Sequence, residues 1–233
     1  MNYIIIATAL LPVIILIVHI LLKDKKSPEP VGQLIKAFAF GILSIPISLC
    51  ISLPLSALFD INTSSIIGSI LNSFLDAAIP EEIAKLFMLW LLLRKNKYFD
   101  EKMDGIVYAV CVSLGFASVE NILYLFNNYD SFISVGIIRA LFSVPGHFSF
   151  GILMGYFYSL AKFYPNGPIK YKYLTILTPI LAHGIFNSIL NIISISSTLT
   201  IILTLVFIYF CFKLWSLGRS KIEEHLRRDS NII

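Results

Sequence analysis

Charge is scarce in this chain: Asp, Glu, Lys and Arg make up 14% of its 233 residues, while 57% are hydrophobic. A soluble fold of this length could not hide so much apolar surface, and a mean hydropathy of +0.83 says the same. Cysteine is scarce too. Cys50, Cys111 and Cys211 lie in apolar runs with no paired spacing, which excludes a disulfide framework or a Cys-based zinc site and reads as small buried side chains. No basic patch accompanies the net charge of +4, so nucleic acid is excluded as a partner and the excess Lys and Arg report orientation. There is no internal repeat, no low-complexity tract and no polar stretch long enough for a soluble domain. What remains is an all-α, polytopic transmembrane helical bundle whose medium is the lipid bilayer.

Apolar runs of spanning length cover about 3–22, 33–58, 65–93, 104–126, 132–160, 173–193 and 198–216. The connections after the first, third and fifth carry Lys23, Lys25 and Lys26, then Arg94, Lys95, Lys97 and Lys102, then Lys162, Lys170 and Lys172. The tail adds Arg219, Lys221, Arg227 and Arg228, whereas the connections near Asp60–Thr63, Asn127–Asp130 and Ser194–Ser197 hold no Lys or Arg. That alternation predicts about seven spans, the N-terminus outside and a basic cytoplasmic tail over 218–233. The first run lacks a basic n-region and a small-residue cleavage site, so it reads as a retained helix.

Ionisable side chains interrupt four of these spans: Glu81, Glu82 and Lys85; Glu120; Arg139 and His147; His183. Such groups are costly in hydrocarbon and face one another or a wet cavity, so they mark a functional site by default. At about 1.5 Å per residue, Glu81, His147, His183 and Glu120 lie roughly 20, 22, 16 and 27 Å from the cytoplasmic ends of their helices. One slab in the middle to outer half of the bilayer therefore contains all four. Lys85 follows Glu81 at i, i+4, the least costly way to hold either charge. Arg139, with Ser143 and His147 at i, i+4, i+8, is placed to pair with Glu120. Pro80, Pro145 and Pro179 each fall within a turn of a polar residue, which suits irregular backbone around a cavity. The serines at 44, 48, 52 and 56 and Gly151-x-x-x-Gly155 read as close-packing faces; His19 and His225 read as incidental.

Glu81 and Glu82 are separated by about 100° of helix rotation, so they are not expected to point at one atom; one is catalytic and the other pairs with Lys85 or a backbone donor. A carboxylate in an apolar pocket is a competent base. His147 and His183 can orient water, protonate a leaving amine or stabilise an oxyanion. Asn187, one turn beyond His183, can fix its tautomer.

Glu81-Glu82-x-x-Lys85, Phe116-Ala-Ser-Val-Glu120-Asn121, His147 after Pro145-Gly146, and His183-x-x-x-Asn187 together resemble the PrsW family of intramembrane proteases, and more distantly the CAAX-prenyl and bacteriocin-immunity proteases. The resemblance covers about residues 65–195 and implies one membrane-embedded protease domain over 1–233 in a bacterial plasma membrane. It also implies site-1 cleavage of a single-pass anti-sigma factor, which activates an extracytoplasmic-function sigma factor in a stress response. Carried over by position, Glu81, Glu82, His183, Glu120 and His147 are catalytic candidates, with Asn187, Lys85, Arg139 and Asn121 supporting. Glu120 stands where the CAAX-type pattern has a histidine, which favours PrsW.

Two histidines and a glutamate also match the ligand count of catalytic zinc, with His147, His183 and Glu82 as candidate ligands. No His-Glu-x-x-His helix occurs, and the expectation is a site without a cofactor, in which glutamate activates water. The alternative from another functional class is a proton- or ion-coupled transporter using the buried carboxylates as a relay.

Overall fold

The computed structural model describes residues 2–59 and 61–230. Asp60, in the first cation-free connection, and residues 231–233 of the tail lie outside the described residues. The chain is helical almost throughout: α1 (Asn2–Lys23), α2 (Val31–Leu58), α3 (Ile66–Asn72), α4 (Ile79–Leu93), α5 (Lys102–Asn127), α6 (Phe132–Ile138), α7 (Val144–Phe163), α8 (Lys170–Ile195) and α9 (Thr200–Ser230). Two π-helical turns, Ser73–Ala78 and Arg139–Ser143, join α3 to α4 and α6 to α7.

Six helical stretches are long and apolar enough to cross a membrane: α1, α2, α5, Tyr129–Phe163, α8 and α9. The run through α3 and α4 is also continuous, but it contains Asp76, Glu81, Glu82 and Lys85. Exposed Ile14, Leu53, Leu141 and Ile201 belong to an apolar exterior that suits lipid. The protein is a multi-pass helical membrane protein.

The central helix is α5, buried on all sides from Lys102 to Ser118. On one side Val13, Leu16 and Ile20 of α1 meet Ile106, Val110 and Leu114 of α5 and Phe148 and Ile152 of α7. On the other, Ala37 of α2 and Leu89 and Leu92 of α4 pack on Tyr108 and Val112. The α5–α7 contact is backbone on backbone: a Cβ on Gly155 would stand 2.2 Å from the Gly105 carbonyl oxygen. The expected small-residue face is therefore required there. Three members of the α2 serine stripe, Ser44, Ser48 and Ser52, are buried. Ser44 and Ser48 return their hydroxyls to the carbonyls of Gly41 and Ile45 at 2.6 and 2.8 Å, so they bury little unsatisfied polarity.

Two expectations are corrected. Cys50 is exposed on the outer face of α2, while Cys111 is buried and Cys211 partly so; a small polarisable side chain is as compatible with lipid as with a core. His225 is not incidental. It is fully buried, its Nε2 donates to the Tyr156 carbonyl at 3.2 Å, and it stacks on the Tyr156 ring. The described part of the tail continues α9, where Asp229 accepts from the backbone N–H groups of Lys102 and Met103 at 3.2 and 2.9 Å and pairs with Lys102 Nζ at 3.0 Å. A residue near the end of the chain thus caps the central helix.

Candidate active site

The site begins with Pro80, which follows the π turn Ser73–Ala78 within a continuous helical run, the widened turn accommodating the proline's missing N–H. The π turn before it shifts the helical phase and sets Asp76 on the wall that also carries Glu81.

Lys85, 1% exposed, is the hub. Its Nζ lies 3.3 Å from Glu81 Oε2, 2.8 Å from Glu82 Oε1 and 3.2 Å from His147 Nδ1, and 4.1 Å from the Phe116 ring centre. The two glutamates therefore do meet at one atom, contrary to the expectation from helix rotation. Lys85 stands at i+4 from one and i+3 from the other, and flexible side chains close the angle between them. An ammonium has three protons, and here each has an acceptor.

His183 Nδ1 donates to Glu82 Oε1 at 2.9 Å, and its Nε2 accepts from Asn187 Nδ2 at 3.1 Å, the tautomer-fixing contact anticipated for Asn187. With Lys85 donating to its Nδ1, His147 carries its proton on Nε2 and donates to Glu120 Oε2 at 3.0 Å. The same oxygen accepts from Arg139 Nη2 at 2.7 Å, the anticipated Arg139–Glu120 pair. Arg139 Nε donates to Asn121 Oδ1 at 2.6 Å, and Asn121 Nδ2 donates to the Ala9 carbonyl at 2.8 Å, tying the network to α1. The histidine rings lie 5.3 Å apart, and Phe150 stacks on His183 at 4.8 Å. All nine sequence-derived residues thus belong to one connected cluster from four spans.

They differ in access. Glu82 is fully buried, while Glu81, Glu120, Arg139, His147, His183 and Asn187 line a cavity of about 680 Å³. Asn72, Asn128 and Asn191 line it too, so it extends toward the end of the bundle that carries the cation-free connections. Sequence reasoning did not single out Asp76, Asn72 or Tyr124 as site residues. Asp76 was detectable as a charge in a span, but an i, i+5 spacing puts about 140° between it and Glu81 on a regular α-helix. Only the π turn narrows that angle.

One donor atom each from Glu81, Glu82 and His183 falls within 4.8 Å of the others, and Glu82 Oε2 is buried with no hydrogen-bond partner. That is the case for a metal ion. Against it, Lys85 Nζ already occupies the space between the carboxylates, and both nitrogens of His183 are engaged. A divalent ion about 4 Å from that ammonium would meet roughly 8 kcal/mol of repulsion at an effective dielectric of about 20. In this arrangement the residues do not fit a metal.

Residues 29–214 match the family model described as PrsW family intramembrane metalloprotease. Over 228 residues the chain is 36% identical to Protease PrsW of Clostridioides difficile (strain 630), covering 96% of this chain and 92% of that protein. It is 38% identical to Protease PrsW of Oceanobacillus iheyensis over 200 residues, covering 86% and 87%. It is 34% identical to Protease PrsW of Bacillus subtilis (strain 168) over 191 residues, covering 82% and 84%. No solved structure matches.

Proposed function

Because this chain belongs to the PrsW family and is a membrane-embedded peptidase of a bacterial membrane, we propose that it cleaves a single-pass membrane protein near the extracytoplasmic face, by a glutamate-activated water and without a metal. The observation that carries this reading is the cavity, which joins Glu81, Glu120, His147 and His183 to the end of the bundle bearing Asn72, Asn128 and Asn191. With seven spans and the N-terminus outside, that end is extracytoplasmic. The substrate class the family resemblance supports is an anti-sigma factor, cut at its first site.

Glu81 is the base. It lines the cavity, whereas Glu82 is sealed behind it and serves by holding Lys85 and His183. Glu81 takes a proton from a cavity water as the oxygen attacks the scissile carbonyl carbon. The charge that develops on the carbonyl oxygen is met by donors on the cavity wall, the second N–H of Asn187 and the Arg139 guanidinium. Glu81 then returns the proton to the leaving nitrogen as the C–N bond breaks. Glu120 keeps His147 oriented against Lys85, which holds the Glu81 carboxylate in place.

Co-expression with tagged single-pass anti-sigma factors tests this. Glu81→Gln should abolish cleavage while the purified variant melts like wild type; normal cleavage by that variant would overturn the assignment. Activity should survive verified chelation, and stoichiometric zinc lost together with activity would overturn the metal-free chemistry.

A further inference from the structure

Every acid of the catalytic cluster has a cationic partner. Glu81 and Glu82 share Lys85, and Glu120 has Arg139. Asp76 differs. It is exposed on the π turn between α3 and α4, and among the described residues no cation or hydrogen-bond donor reaches its carboxylate. Its surroundings are concave. Asp76 and Asn72 line both the main cavity and a smaller recess of about 200 Å³ formed with Leu55, Ser56, Phe59 and Leu75, so Asp76 stands where the two meet. Because Asp76 is exposed on the wall of a wet cavity, water solvates its carboxylate in the free enzyme, and a substrate cation can take the place of that water.

The remaining polar groups on the wall suit a peptide. Asn72, Asn187 and Asn191 offer amides, with Asn191 Nδ2 held on Ser73 Oγ at 2.9 Å. Apolar Leu190, Val135 and Ile138 line the same cavity. Five residues of helix set Asp76 about 7 Å from Glu81 along the axis, which is about two residues of extended chain.

Resting on the peptidase reading above, we propose that Asp76 is a specificity determinant that binds a lysine or arginine side chain of the substrate, about two residues from the scissile bond. The smaller recess takes the aliphatic stem of that side chain along Leu55, Phe59 and Leu75, and the cationic head meets the carboxylate.

The test uses the full chain in lipid vesicles and transmembrane peptides in which one residue, walked position by position along the sequence, is Lys, Gln or Glu. Wild type should prefer Lys over Gln at one position near the cut by about tenfold in kcat/KM. Asp76→Asn should bring that ratio to about one, Asp76→Glu should keep it, and Asp76→Lys should invert it in favour of Glu. A walk with no Lys-preferring position, or an Asp76→Asn enzyme that retains the ratio, overturns the subsite while leaving the peptidase reading standing. If wild type cleaves none of the peptides, both fall.

Discussion

Replacing Lys85 with methionine isolates what holds the site together. The side chain is 1% exposed, and its Nζ is the shared donor to Glu81, Glu82 and His147. Methionine fills a similar volume but leaves Glu82, itself fully buried, with His183 as its one remaining partner and with Oε2 already bare. Breaking a buried ion pair by removing one member costs about 3–5 kcal/mol, because the other charge stays behind. For a chain of this size that corresponds to a drop of about 10 °C in Tm, readable by thermal unfolding in lipid nanodiscs. The double variant Lys85→Met with Glu82→Leu removes the stranded charge and should recover most of the loss, since replacing both partners by apolar groups of similar shape is close to neutral. A single variant within about 1 kcal/mol of wild type, well below the cost of a stranded charge, would refute the reasoning, as would a double variant no better than the single.

Three other outcomes follow from geometry elsewhere. Lys85→Arg keeps the charge but replaces a three-proton point donor with a planar fork, so it should hold the fold while lowering kcat by about tenfold or more; wild-type turnover would show that charge alone suffices. Gly155→Val should cost about 1–3 kcal/mol by overpacking against the Gly105 carbonyl, whereas Gly32→Ala, in α2 with nothing within 4 Å of its Cβ, should not lower the same melt and should raise it slightly. Asp24, in the connection after α1, has its carboxyl pushed up to about 7 by burial and then by Glu29, Glu101 and Asp229. The folded chain therefore holds a proton there that the unfolded chain releases, and this stabilisation is lost as pH rises through about 7. Asp24→Asn should be more stable than wild type at about pH 8, the two converging toward pH 4; parallel pH–stability curves would refute the assignment.

Much of the site was legible because the bilayer penalises charge. Glu81, Glu82, Lys85, Glu120, Arg139, His147 and His183 each break an apolar run, and at similar depth they have few ways to be satisfied except by one another. The Lys85–Glu81 and Arg139–Glu120 pairs follow from spacing and depth. What spacing could not supply was the phase of the backbone. Both π turns insert a residue into a helix whose apolar pattern reads as regular, and both border the cavity: one rotates Asp76 onto the Glu81 wall, the other carries Arg139 and Ser143. Side-chain reach was the second hidden variable, since the angle between Glu81 and Glu82 at the backbone is closed within their own flexible stems. Burial at the far end of the chain was the third. His225 and Asp229 sit among charges that resemble a solvated tail, and only the packing of α9 against α5 and α7 makes them interior.

In the metal-free reading proposed above, Lys85 takes the place between the carboxylates of Glu81 and Glu82 that an ion would otherwise hold. A bound metal would fix Glu81, Glu82 and His183 by coordination and hold an open position for water. The ammonium fixes Glu81 and Glu82 by donation and reaches His183 through Glu82, which leaves the cavity face of Glu81 as the open position. On that reading side-chain donors polarise the substrate, and Arg139 has the geometry for it, with Glu120 and Asn121 locking two of its nitrogens and the residue bordering the cavity. The two cations are thus consumed by the machinery. Asp76, on the same wall, is left to whatever charge the substrate brings.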